Sequence, residues 1–261
     1  MSVPNDEVLY SRDDRVATIT INRPDRRNAI NPDVVRGIGA ALTEVQGDDR
    51  VGVVILTGAG DKAFCAGGDL GGMGSTSKLS QHFVRAEVGD LFEQMRACRV
   101  PIVARVNGHA LAGGFGLMLA CDLVIAADDA ELGTPEINLG LWPFMISAVI
   151  KRDMPRKIAL ELMLTGRRMS AEEGARWGIV NRVIPRSELD AAVKEMTDVL
   201  TSKSVLIASL GKRSFYGIED MSFDAALDHL AGMLTLTLES EDTIEGVTAF
   251  LQKRPPEWKN R

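Results

Sequence analysis

The apolar positions of this chain fall into two regimes, β-branched runs separated by amphipathic stretches first and helical periodicity alone later. Val16–Ile21 (VATITI) is bounded by charged residues and by Asn22-Arg23-Pro24, which predicts a strand followed by a loop. Val51–Thr57 (VGVVILT) is a continuous apolar run stopped by Gly58-Ala59-Gly60, the pattern of a strand covered on both faces. Pro101–Val106 and Leu123–Ala127 predict two more strands, and Val180–Ile184 a small one. Asn31-Pro32-Asp33 opens an amphipathic stretch to about Val45, with Pro32 suited to a first helical turn. Residues 80–98 predict a second helix. Leu111–Cys121 is rich in small residues and apolar all round, as a buried helix is.

Beyond Trp142 the pattern is helical, with Pro155–Leu164 the first clear segment. Ser170-Ala171-Glu172-Glu173 has the arrangement of a capping box and starts a short helix ending near Trp177-Gly178. Ser187–Thr201, Val205–Tyr216, Phe223–Leu238 and Glu241–Gln252 complete a mostly helical last third. Strands alternating with helices, then helices alone, predict an α/β core with a helical C-terminal region. The bend near Pro185 divides the chain into residues 1–185, carrying the site, and 186–261, a helical region for oligomerisation and for covering the pocket. The glycine- and serine-rich run Gly71–Ser77 predicts a mobile loop.

Composition narrows the function classes. At 261 residues, with 45% apolar and 25% charged content, the chain is long enough for a large core and ordinary for a globular protein. A net charge of -6 argues against a nucleic-acid partner, which needs a concentrated basic patch. The basic groups Arg23, Arg26, Arg27 and Lys253, Arg254, Lys259, Arg261 read mostly as solvated surface. Neither the cysteines (Cys65, Cys98, Cys121) nor the histidines (His82, His109, His229) have metal-type spacing, so no metal site is expected. Cys65 reads as packing and His109 as structural. The odd cysteine count fits a reducing, cytoplasmic compartment. The first residues lack a basic and apolar leader, and no run approaches the ~18–20 apolar residues of a membrane helix, so no membrane partner is expected.

Two stretches carry chemistry. Asn107–Glu136 places a glycine-rich turn before an apolar helix, then a strand, then one carboxylate after a proline. Lys62–Leu70 (KAFCAGGDL) follows the apolar strand at 51–57 and can supply the other half of a cradle. Together they can hold a carbonyl oxygen against backbone N–H groups and bring a base to the carbon beside it. An enzyme acting on an activated acyl group is the reading.

Asn22-Arg23-Pro24 with Asn28-Ala29, the run Ala63-Phe64-Cys65-Ala66-Gly67-Gly68-Asp69-Leu70, Asn107-Gly108 with Gly113-Gly114, Cys121-Asp122, and Pro135-Glu136 resemble, in this order, the crotonase superfamily. Its members include enoyl-CoA hydratases and isomerases, and the resemblance covers essentially the whole chain. It implies a crotonase-like α/β fold, a β-β-α spiral with a helical C-terminal region. It implies an acyl-CoA thioester substrate, with coenzyme A as part of that substrate and no separate cofactor. The backbone N–H groups of Gly68 and Gly113 would form the oxyanion hole, and Glu136 would move the proton. Removing a proton beside a thioester puts negative charge on its oxygen, and losing one preorganised donor there typically costs ~100–1,000-fold in rate. The resemblance also places Ala66, Asp69, Leu70, Gly116, Trp142 and Phe144 along the substrate, and Arg27, Lys62 and Lys253 near the coenzyme A phosphates, Lys253 toward a neighbouring subunit. A homotrimer or dimer of trimers is implied.

Two departures from the hydratase pattern matter. Hydratases of this family usually carry a first glutamate where this chain has Gly116. Positioning a water, taking its proton and protonating carbon is work that two carboxylates share, whereas moving a double bond needs one base. The segment after Pro143 is bulky, Phe144-Met145-Ile146-Ser147, where the family is often glycine-rich; such residues narrow or dry a pocket, although Ile146 and Val149 read as core packing. Isomerisation is therefore preferred, with hydration the close alternative and a non-catalytic acyl-CoA-binding protein the alternative of another class. Decarboxylation, thioester hydrolysis and dehalogenation use the same cradle and are disfavoured. Gly116→Glu is expected to introduce hydration by restoring the second carboxylate.

Overall fold

The computed structural model describes residues 6–69, 71 and 78–261. Its elements run β1 (Val8–Asp13), β2 (Val16–Ile21), α1 (Pro32–Gly47), β3 (Val53–Gly58), β4 (Ala63–Cys65), α2 (Lys78–Ala97), β5 (Ile102–Val106) and β6 (His109–Leu111). Next come α3 (Gly113–Leu119), β7 (Leu123–Ala127), β8 (Glu131–Gly133), α4 (Phe144–Asp153), α5 (Arg156–Thr165), β9 (Arg168–Ser170), α6 (Ala171–Arg176) and β10 (Arg182–Ile184). Four helices follow: α7 (Leu189–Thr201), α8 (Val205–Gly217), α9 (Phe223–Leu238) and α10 (Glu241–Gln252). The Asn31 side chain caps α1 by accepting from the Val34 N–H at 2.8 Å, and Ser170 caps α6 by accepting from Glu173 N–H at 3.2 Å. Leu70 and residues 72–77, which carry the mobile-loop expectation, lie outside the described residues.

A six-stranded sheet has the order β1-β2-β3-β5-β7-β10, antiparallel only between β1 and β2. A four-stranded sheet has the order β4-β6-β8-β9, with the first three strands parallel and β9 antiparallel to β8. The chain winds between them in a repeated unit. β3, β5 and β7 enter the large sheet; β4, β6 and β8 then enter the small one; a helical segment follows each time. This is the β-β-α spiral with a helical C-terminal region that the motifs imply.

Side-chain alternation splits the large sheet between two cores. Val54 and Leu56 of β3 face a core shared with Ile38, Leu42, Ile102 and Phe115, whereas Val53 packs with Val103, Ile125, Leu189 and Val193. Leu189 and Val193 come from α7, so α7 covers the second face of the sheet and belongs to the core. A division at residue 185 therefore does not follow a packing boundary. Buried polar side chains fix the crossovers. Asn107 donates to the Gly58 carbonyl at 2.8 Å and the Gly60 carbonyl at 2.6 Å. Asp122 accepts from Ile102 N–H at 2.7 Å, Tyr216 OH at 2.8 Å and Lys212 Nζ at 2.8 Å, tying α8 to the sheet. No described helix is long and apolar enough to cross a membrane.

Candidate active site

The small sheet brings the chemistry-bearing segments together. Adjacent strands lie ~4.8 Å apart, and β4, β6 and β8 are adjacent and parallel, so the chain leaves all three at one end. Beyond β4 come Ala66, Gly67 and Gly68; beyond β6, Ala112 and Gly113; beyond β8, Thr134, Pro135 and Glu136.

The Gly68 and Gly113 amides become neighbours. A Cβ built on Gly113 would lie 3.8 Å from the Gly68 nitrogen, and one built on Gly67 would lie 3.3 Å from the Gly113 nitrogen. Gly68 pairs with Ile30 through its flanking groups: the Gly67 carbonyl accepts from Ile30 N–H at 2.7 Å, and Asp69 N–H donates to the Ile30 carbonyl at 2.7 Å. That pattern puts the N–H of Gly68 on the opposite side of the strand. Gly113 opens α3, where an N–H has no partner within the helix. Ala112 turns the chain into α3 at φ 52°, a left-handed value for an alanine, with its N–H bonded to the Gly133 carbonyl at 2.8 Å. Such a conformation costs of order 1–3 kcal/mol and persists where neighbouring contacts enforce it. Gly114 lets α3 lie directly on β4, since any Cβ there would overlap the Cys65 carbonyl.

Glu136 sits in a 3-10 turn, Pro135–Leu139, braced against α5. The side chain is half-buried, and Oε2 is buried with no hydrogen-bond partner among the described residues. Burial pushes its carboxyl above the usual range, against a smaller opposing contribution from a backbone hydrogen bond. The Oγ1 of Thr134, two residues earlier, is likewise buried and unpartnered.

The other expected residues divide. Asp69 is engaged: its carboxylate accepts from Arg23 at 2.8 Å and from Gly71 N–H at 3.0 Å, and the Arg23 guanidinium holds it below the usual carboxylate range. Arg23 correspondingly is not solvated surface; it also pairs with Glu7 at 3.1 Å, and its side chain is only 12% exposed. Gly116 requires a correction. It is buried, and a Cβ there would overlap Ile146 Cγ2, sit 2.7 Å from Ile146 Cβ and 3.4 Å from Phe92 Cζ. It faces a packed seam rather than open pocket, so Gly116→Glu alone has no room. Trp142 packs partly buried against the main core, and Phe144 is 78% exposed. Ile146, 3% exposed, belongs to the core as read. Leu70 lies outside the described residues.

Ala66, Arg27 and Lys62 do come together, lining a cleft of about 350 Å³ with His109, Arg168 and Arg186. Arg168 and Arg186 come from β9 and from just beyond β10, outside the motifs that carry the family resemblance, so none of those motifs marks them. Both are partly neutralised, Arg168 by Glu131 at 2.6 Å and Arg186 by Asp129 at 2.7 Å. His109 accepts from Glu131 N–H at 3.1 Å, joining β6 to β8. Lys253 terminates α10 at φ 53° and does not line the cleft. Cys65 is buried, and its thiol is pushed up to about 12 by burial, as suits packing.

The geometry has counterparts among known proteins. The sequence profile described as enoyl-CoA hydratase/isomerase matches residues 11–261. Probable enoyl-CoA hydratase echA8 of Mycobacterium bovis is 36% identical over 258 residues, covering 97% of this chain and 98% of that protein. Carnitinyl-CoA dehydratase of Escherichia coli is 35% identical, covering 98% of this chain and all (100%) of that one. The crystal structure of an enoyl-CoA hydratase from Mycobacterium smegmatis superposes with a TM-score of 0.94 at 33% identity, covering 97% of this chain and 99% of the other. The chain thus belongs to the enoyl-CoA hydratase/isomerase family of the crotonase superfamily, as its ordered motifs imply.

Proposed function

We propose that this acyl-CoA-processing enzyme moves a carbon–carbon double bond along an enoyl-CoA thioester, with Glu136 as its single base. The observation that carries the reading is the state of the two carboxylates near the strand ends. Asp69 is already bound by Arg23, whereas Glu136 keeps a buried oxygen without a partner. Its raised pKa suits a group that takes a proton and later returns it.

With a 3-enoyl thioester, Glu136 removes a proton from the carbon beside the carbonyl. The C–H electrons form a bond to the carbonyl carbon, and the carbonyl π electrons move to oxygen. The resulting dienolate oxygen accepts hydrogen bonds from Gly68 and Gly113 N–H. Collapse of the dienolate reforms the carbonyl, shifts the double bond to the 2-position and takes the proton from Glu136 at the distal carbon. The Glu136 carboxylate is restored, and no cofactor beyond the coenzyme A of the substrate is needed.

Arg27 and Lys62, beside Ala66 in the cleft, supply cationic groups for the coenzyme A phosphates in this reading. Lys253 would serve a neighbouring subunit. A homotrimer or dimer of trimers is supported by the apolar surface of α9 and α10, where Phe223 and Phe250 are each 81% exposed and Leu251 is 74% exposed. Three unpaired, buried cysteines support a reducing, cytoplasmic setting.

Hydration of a 2-enoyl thioester is the second reading, supported by relatives named as enoyl-CoA hydratases, including the short-chain-enoyl-CoA hydratase of Clostridium acetobutylicum at 32% identity. Purified protein given 3-enoyl and 2-enoyl thioesters separately tests both. Growth of conjugated-enoyl absorbance from the 3-isomer, lost in Glu136→Gln, is the expected result. Loss of absorbance from the 2-isomer, with an inert 3-isomer, would make the enzyme a hydratase.

A further inference from the structure

Position 116 and residue 146 compete for one space. A side chain on Gly116 would overlap Ile146 Cγ2 and bring two Cβ atoms to 2.7 Å, where real Cβ contacts essentially never fall below 3.0 Å. The conflict lies close to the backbone, so a rotamer change at Ile146 does not remove it. Ile146 is 3% exposed on α4, which packs along α3. Phe92 of α2 completes the seam.

Space for water lies close to this seam. Phe92, Met145 and Val149 line a second cavity of about 300 Å³, whose walls include Arg96 and Tyr216. Phe92 thus borders that cavity and also approaches the Cβ position of residue 116. An ordered water needs two to four polar partners as well as room. The Gly116–Ile146 contact offers neither.

We infer that Ile146 is a specificity-determining residue, because the volume it fills beside Gly116 excludes both a second carboxylate and a held water and so confines the enzyme to one-base chemistry. This rests on the isomerisation reading above and adds its cause: a packed isoleucine, beyond the missing glutamate. An alanine at 146 still carries a Cβ at 2.7 Å from the new side chain; glycine removes both overlaps with residue 146.

The test compares wild type, Gly116→Glu, Gly116→Glu/Ile146→Ala and Gly116→Glu/Ile146→Gly. Hydration is read as oxygen-18 from solvent in the 3-hydroxyacyl product, and isomerisation as conjugation of a 3-enoyl thioester. The glycine double variant is expected to hydrate at least about 100-fold faster than Gly116→Glu, the lower end of what a positioned proton-transfer group contributes, with little gain in the alanine double variant. Hydration unchanged in a glycine double variant that melts cooperatively and still exchanges the α-proton overturns the inference and leaves the isomerisation reading intact. A wild type that hydrates but does not isomerise overturns that reading, and this inference with it. Should the glycine double variant not fold, a milder cycle decides: Gly116→Ala lowers Tm in wild type and lowers it less in an Ile146→Gly background. Additive losses would overturn the inference.

Discussion

The two sheets of this enzyme are built to different rules. Strands of the large sheet are mostly five or six residues long, with side chains committed to packing on both faces: Ile19, Val54 and Leu56 on one, Val53, Val103 and Ile125 on the other. Strands of the small sheet are three residues each, and three of them end in a glycine turn or an acid-bearing turn. The first sheet is held by area removed from water, which many residues share. The second aims a few backbone and side-chain groups, and each group is singular. Substitutions in the large sheet should therefore cost stability with the chemistry spared, and those at the ends of the small sheet should cost rate with the fold spared.

The largest separation is expected at Glu136. Glu136→Gln should lower isomerisation by about 100–10,000-fold, the range for a positioned general base, with acyl-CoA binding retained in a titration. It should also raise Tm at neutral pH. Because burial raises this carboxyl, the folded state holds the proton more tightly than the unfolded one, so stability falls as pH climbs from the ordinary carboxylate pKa through the raised value. The Tm gain should accordingly fade toward acid, and a gain that is flat with pH would detach it from Glu136 ionisation.

Gly113→Pro comes next. It deletes the proposed oxyanion donor at the first helical position, and a rate loss of about 100–1,000-fold is expected. Comparable loss of helix by circular dichroism would instead make it a folding defect. In the large sheet, Ile125→Ala should cost about 2–5 kcal/mol in denaturant unfolding, with kcat/KM per folded molecule unchanged. The smallest effect is expected at Ala112→Gly, which relieves the φ of 52° at the mouth of α3. A gain of about 1 kcal/mol should appear in the same unfolding assay; a loss would show that the alanine methyl contributes packing that outweighs the strain.

This division also sets what was legible beforehand. Val16–Ile21 and Leu123–Ala127 appear as strands with the bounds read from the sequence, because each is a run dominated by β-branched or apolar residues. His109–Leu111, Glu131–Gly133 and Arg168–Ser170 are too short for any period and were missed, although they organise the site. Motif content marks the ends of the first two alone, through Gly113 and Glu136. The motifs also hold residues whose work is structural, which spacing alone does not reveal. Asn28, fully buried, donates to the Ala59 and Ala63 carbonyls and accepts from Arg23 N–H, seating the loop before α1 on β4. Gly116 was legible as an absent carboxylate but not as an occupied volume, since its neighbour Ile146 lies 30 positions away on another helix.

The Gly116–Ile146 contact also makes history directional. A glutamate acquired first, on the way to a pocket with two acids, would force the seam between α3 and α4 to shift. The isoleucine must shrink beforehand, at some loss of packing and no immediate catalytic reward. Travelled in reverse, the acid departs before the large side chain can arrive without a clash.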